Sequence, residues 1–373
     1  MKKIILIMFI LLIIPSSLSL ADDSNTEIDS SKMKLERGKV IEIITDVKDK
    51  EDNTSSYSEV QTQVIKVKVL TGKYKDEKFI IENGLDGNVF YDIKVKKGDK
   101  VILGITEIKG DAPQVVITDF TRDTYLLYVL IAFVVLLLVV GRLKGLKSLI
   151  TLTITGVSIF KILLPLILKG YSPVWVTVLT TTIVTIITFI IIGGFNIKSI
   201  SAIIGTVSGV IMAGFLAYIV STAANLTGLN SEEGMMLMHI PQQIDFDFQG
   251  LLFAGIIIGT LGAVMDVSMS ISSSMYEMRN LHPEVTPKEL MKSGLNVGKD
   301  IMGTMSNTLI LAYTGSSLPL LLVFMAYKTS LIKVLNMNLM ATEIVRAFVG
   351  SIGLIIAIPI TTLATGLILK FKK

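Results

Sequence analysis

The chain has 373 residues, a net charge of +4, 51% hydrophobic residues and a mean hydropathy of +0.67. Charged residues make up 18%, against about 25% in a soluble protein, and they concentrate in residues 22–123, so a wholly soluble protein is excluded. The chain has no cysteine, which excludes disulfides, thiolate metal sites and thiol catalysis.

Met1-Lys2-Lys3 precedes an apolar run from Ile4 to Ile14, then Pro15 and Ser19-Leu20-Ala21. A charged start, an apolar stretch and a small-x-small site read as a signal peptide over residues 1–21, or as an uncleaved anchor. Residues 22–35 read as a flexible polar linker. Short β-like runs follow at Gly38–Ile44, Ile65–Val69, Phe79–Ile81, Val101–Ile105 and Gln114–Ile117, with a tight turn at Lys97-Gly98-Asp99. Ile65, Val67 and Val69 alternate with Lys66 and Lys68, the period of a half-buried strand. The expectation is a β-rich domain over residues 36–118, a small OB-like barrel.

A membrane span needs about 20 mostly apolar residues. Seven are expected, near 124–141, 149–168, 173–193, 200–221, 251–272, 300–326 and 345–369, in a helical domain over 124–370. The fold class is thus a polytopic α-helical membrane protein with a small β-barrel-like domain. If the β-domain is outside, the inner segments carry eleven basic residues: Arg142, Lys144, Lys147, Lys198, Arg279, Lys288, Lys292, Lys299, Lys370, Lys372 and Lys373. The outer segments carry four, Lys169, Lys328, Lys333 and Arg346. This asymmetry predicts a plasma-membrane protein with the β-domain outside and the C-terminus in the cytoplasm. Lys161 is expected to snorkel toward the outer face.

Gly205 and Gly209, and likewise Gly255 and Gly259, have G-x-x-x-G spacing, which lets helix backbones approach closely. Asp266 stands in an otherwise apolar span, where an ionisable group costs about +2.5 to +3.5 kcal/mol to insert. Ser270, Ser273 and Glu277 follow it at i+4, i+7 and i+11, one helical stripe. In the next span Asp300, Thr304 and Asn307 form a second stripe. The two spans are antiparallel, so the stripes fall at similar depth. Facing each other, they would make a polar seam able to pass a proton or small cation, with Asp266 as the carrier. The alternative is a hydrogen-bonded cluster that only locks the helices. Gly315 and Pro319 interrupt the over-long stretch 298–327, either as an unwound ion-binding break or as a proline kink.

In the outer loop 223–248, Met235, Met236, Met238 and His239 suit a soft metal, but methionine is also a general apolar filler, and no metal or other cofactor is expected. Between the fifth and sixth spans, Thr286, Pro287 and Glu289 mark a capped helix start. There is no H-E-x-x-H motif, and Asp300 lies nearer the span boundary than Asp266, a poor match for an aspartyl dyad. An enzyme is not expected.

The segments Gly259–Ser273 and Gly303–Gly315, with Leu318-Pro319, resemble the YibE/F-like family of bacterial membrane proteins. Thr71-Gly72, Lys97-Gly98-Asp99, Gly141-Arg142, Gly170–Pro173 and Leu226–Glu233 fit the same order. The resemblance implies a multi-pass plasma-membrane protein and supplies neither reaction nor substrate. The leading expectation is a permease or ion-coupled transporter, and the alternative a scaffold or envelope sensor acting through the β-domain. The partners to expect are the bilayer, a small solute or ion, and either a second copy of the chain or an envelope protein; nucleic acid is not among them.

Overall fold

The computed structural model describes residues 33–48, 61–85, 92–107, 112–229, 232–240 and 244–371. The signal segment 1–21 and most of the linker 22–35 lie outside the described residues. The chain divides into two compact units, with the boundary between Leu136 and Leu137.

The first unit holds five antiparallel strands, β1 Met33–Lys48, β2 Gln61–Val69, β3 Lys78–Leu85, β4 Lys100–Thr106 and β5 Gln114–Phe120, in the order β3-β2-β1-β4-β5. Register shifts at Val40/Glu42 and Ile43/Thr45 interrupt the β1–β2 pairing. Such bulges bend a strand, and the sheet curls into a half-barrel. The inward set Val40, Ile65, Val67, Val69, Val101, Leu103 and Ile105 is almost fully buried, while Lys66 and Lys68 point out. Gln63 is buried as well, and its side-chain amide bridges the Val95 backbone, accepting from Val95 N at 3.1 Å. The turn at Gly98 uses a φ of +98°, open to glycine. On the surface, the hydrogen bond from Lys73 to Glu107 holds the Glu107 carboxyl below its usual range. Leu103 fills the space above Gly38, so Leu103→Ala should destabilise the β-domain by about 2–5 kcal/mol. Thermal unfolding of the full-length protein, followed by a β-sheet signal, checks this.

The second unit is helical. Its elements are α1 Asp123–Ile167, which begins in the first unit, α2 Pro173–Gly193, α3 Ile197–Ala223, α4 Glu232–Leu237, α5 Phe248–Leu281, α6 Pro287–Ser316, α7 Leu318–Ala326, α8 Leu331–Asn336 and α9 Asn338–Phe371. Five of these are long and apolar enough to cross a membrane. The pair α6 and α7, bent by 61°, makes a sixth. The protein is therefore a polytopic helical membrane protein with a small β-domain.

Two breaks qualify that number. Arg142, inside α1, has φ 47° and ψ −124°, far from helical values. A side chain at Gly145 would run into the Leu137 carbonyl group, although eight residues of straight helix rise about 12 Å. The chain is therefore sharply folded at Arg142. The second break, between α6 and α7, centres on Ser317, with Pro319 in the first turn of α7.

The core is built where α3, α5 and α9 cross. Ile257, Val264, Val267 and Ile271 of α5 pack there with Leu354, Ala357 and Ile358 of α9. Gly205 and Gly209 of α3 lie against α9. A Cβ on Gly205 would overlap the Thr361 hydroxyl and come within 3.1 Å of the Thr361 Cα. One on Gly209 would lie 2.9 Å from the Gly353 carbonyl oxygen. α2 packs on α3 and α5, and α6 on α5 and α9. Several hydroxyls in these contact faces fold back on their own helices, as Thr181 does to Thr177 O at 2.8 Å and Thr365 to Thr361 O at 2.7 Å, while Ser272 donates across to Lys198 O at 2.6 Å.

Candidate functional site

The site is assembled from the faces of α5 and α6 that the core does not use. On α5, Ile256, Ile257, Thr260, Val264, Val267, Ser268, Ile271 and Met275 are buried. At 100° per residue, Gly255, Gly259, Gly262, Asp266, Ser273 and Glu277 fall on the opposite face. Gly255, Gly259, Gly262, Asp266 and Glu277 are exposed there, with Ser270 and Ser273 half-buried. A Cβ added at Gly255 or Gly262 would meet nothing within 4 Å.

α6 repeats the pattern. Its capping box, with Thr286 Oγ1 accepting from Glu289 N and Glu289 closing back on Thr286 N, sets where the helix starts. Leu290, Gly294, Gly298 and Leu309 are buried against the bundle. Asn296, Asp300, Gly303, Thr304 and Asn307 lie roughly half a turn away and are exposed. Gly303 and Gly315 also have open space where a Cβ would be.

The register between the helices follows from their contacts. Gly259 lies beside the Tyr313 hydroxyl, Ile271 reaches Gly298 at 3.2 Å and Met275 reaches Gly294 at 3.0 Å, each measured to an added Cβ. The helices are antiparallel, so Asp266 is level with about residue 304. The structure thus brings Asp266, Thr304 and Asn307 to one depth. It does not bring them face to face between the helices, because at this depth α5 presents the apolar Ile271 and Met275 to Gly298 and Gly294 of α6, and only Tyr313 of α6 reaches over to Gly259. Both polar stripes point away from the bundle. Thr304 donates back to Ile301 O at 2.9 Å, leaving its outer lone pairs free. Ser273 approaches the Met269 sulfur at 3.7 Å. Gly315 is exposed and helical, and Pro319 lies in the first turn of the short helix after the bend, whose N-cap is Ser317.

Chemically, the surface offers a carboxylate able to take up a proton or a cation. The Thr304 hydroxyl and the Asn307 amide lie at about the same depth on the neighbouring helix, and each can both donate and accept. Among the described residues no three or more His, Asp or Glu side chains are grouped so as to hold a metal ion. His239 meets the Met235 carbonyl oxygen at 3.1 Å, and Met235, Met236 and Met238 are exposed.

A second charged group was not legible as such in the sequence. Arg346 was expected in an outer loop, but α9 starts at Asn338, so Arg346 lies in its third turn. Its guanidinium donates to Glu343 at 2.7 Å, with the two side chains 30% and 17% exposed, and it lies 5.9 Å from the centre of the Tyr313 ring. The one sequence signal was the i, i+3 spacing of Glu343 and Arg346. Arg346→Gln should destabilise the helical unit by about 3–5 kcal/mol, because it strands a largely buried carboxylate. Arg346→Gln combined with Glu343→Gln should recover much of that loss. Unfolding midpoints of the three variants in one detergent check the order.

The family profile for the YibE/F-like protein matches residues 129–371, and that for the YibE/F family N-terminal domain matches residues 32–120. The chain belongs to the YibE/F-like family. No curated protein and no solved structure matches it.

Proposed function

We propose that this YibE/F-like membrane protein is a permease, carrying a small ion or polar solute along the outward polar faces of α5 and α6. The observation that carries the reading is Asp266, a carboxylate in a membrane-length helix on a face the core leaves unpacked, level with Thr304 and Asn307. Ionisable residues inside a span normally meet water or a partner and mark a pathway. Asp266 is the proton- or cation-binding group. Asn307, Thr304 and Ser270 line the path, Asp300 lies toward one end of it, and the bend at Ser317 lets its other end move. The reading assigns the protein no covalent chemistry.

The same reading takes the helical unit to cross the membrane seven times. α1 has 45 residues, about 68 Å of helix for a hydrocarbon core of about 30 Å. The fold at Arg142 supports two crossings in its place. With seven crossings, and with the basic loop residues inside, the β-domain is outside and the C-terminus cytoplasmic.

The test is a deletion strain carrying wild type, Asp266→Asn or a chain lacking residues 36–118, at matched membrane abundance. Growth is profiled across metals, salts, pH and antimicrobials, and the agent so identified is then followed in proteoliposomes. Flux by wild type and none by Asp266→Asn supports the permease. Full function of Asp266→Asn, with loss only on removing the β-domain, would establish the rival reading, a scaffold or sensor that binds an envelope partner.

A further inference from the structure

We infer that the functional unit is a pair of chains, packed through the outward faces of α5 and α6, so that the polar passage is enclosed between two copies. This rests on the reading of Asp266, Thr304 and Asn307 as a path, and it names what closes that path.

Small residues let helices approach closely in membranes, and polar residues there turn toward other protein or water. In this chain both kinds of residue point away from the bundle, and on the same two helices. Gly255, Gly262, Gly303 and Gly315 have nothing within 4 Å of an added Cβ. Asp266, Asp300, Thr304 and Asn307 are exposed beside them. Lipid tails give a carboxylate no hydrogen bond and a glycine ridge no packing. The surface has the composition of a protein interior without the other half.

A second copy fits as that half because of how charge is placed. Lys299 and Asp300 are both exposed and adjacent on α6, at one depth, and 100° apart on the helix. Neither makes an ion pair among the described residues. Copies inserted in the same direction are related by a twofold axis along the membrane normal, which brings equal depths together. Asp300 of one copy can then reach Lys299 of the other, and the reverse. The same axis sets the two Asp266–Thr304–Asn307 groups across from each other, with the glycines giving room for close approach.

The absence of native cysteine makes the test direct. Gly255→Cys, Gly262→Cys, Gly303→Cys and Gly315→Cys are introduced singly into the full-length chain. Leu179→Cys, on the exposed side of α2, is the control. Open space at all four glycines means the substitutions should leave the single chain intact. Oxidation in native membranes, at low expression, should shift most of at least one face variant to twice the 40.7 kDa chain mass, since a disulfide needs Cα atoms within about 7 Å. The control should stay monomeric. No dimer from any of the four overturns the proposal, whether the cysteines react freely with a water-soluble maleimide or are protected by another protein or another segment of the chain. The outcome is separate from the Asp266→Asn experiment: cross-linked dimers with active Asp266→Asn refute the path and keep the pair, while an inactive Asp266→Asn with no cross-links keeps the path and refutes the pair.

Discussion

Asp266→Asn is expected to reduce function to the level of the deletion strain while leaving membrane abundance within about twofold of wild type. Asparagine keeps the shape and the hydrogen-bonding oxygen of aspartate but cannot bind a proton or hold a negative charge. Asp266 is exposed and has no hydrogen-bond partner among the described residues, so the substitution breaks no hydrogen bond among them. A charge that stabilised the fold would have partners, and losing it would lower abundance. A charge that works by titrating or by binding a cation would be lost silently, with activity alone affected. Asp266→Glu should retain part of the activity, since it keeps the ionisable group and moves it by one methylene. Immunoblotting of membranes beside the growth profile and the flux assay separates the two roles.

Gly205→Leu is expected to remove most of the folded protein from the membrane. The position allows no side chain, because the Cβ alone would overlap the Thr361 hydroxyl and approach the Thr361 Cα, which belongs to backbone and cannot rotate aside. Gly205→Ala should already cost about 1–3 kcal/mol by overpacking, and leucine should exceed about 4 kcal/mol, the range in which single substitutions unfold domains. Combining Gly205→Ala with Thr361→Ala should recover part of the loss, since the hydroxyl is the nearest obstacle. Gly262→Ala should be neutral or stabilise α5 by up to about 1 kcal/mol, because alanine is the better helix former and the space is open. Size-exclusion profiles and melting temperatures in detergent compare the four variants. The contrast tests the crossing of α3 with α9, since two glycines of similar appearance in the sequence should respond in opposite directions.

Much of the architecture is legible in the sequence. The alternation of Ile65, Val67 and Val69 with lysines marked a strand, because successive side chains in a strand point to opposite faces. The Thr286, Pro287 and Glu289 spacing marked the start of α6, because capping depends on residues within one turn of each other. Asp266 and Asn307 fell at one depth because a short loop joins two antiparallel helices of known rise. Each of these inferences needs only local geometry.

The direction of the polar stripes was not legible in that way. Periodicity says that Asp266, Ser270 and Ser273 share a face of α5. It does not say whether that face meets α6, α9 or nothing. Hydropathy cannot decide either, since lipid tails are as apolar as leucine, and a membrane helix is apolar on its lipid side and its packed side alike. The same limit hid the pairing of Arg346 with Glu343 and Tyr313, which depends on where α9 begins, whereas the break at Arg142 falls where Arg142, Lys144 and Lys147 separate two apolar stretches of the sequence. The sequence by itself determined the class of protein, its strands, its apolar stretches and the charged residues that interrupt them. The tertiary structure decided that Gly205 and Gly209 are buried at a crossing while Gly255 and Gly262 are open, and that the charged stripe lies outside the bundle. The reason is that helix faces are chosen by contacts between segments far apart in the chain, and by which small residues let those segments approach.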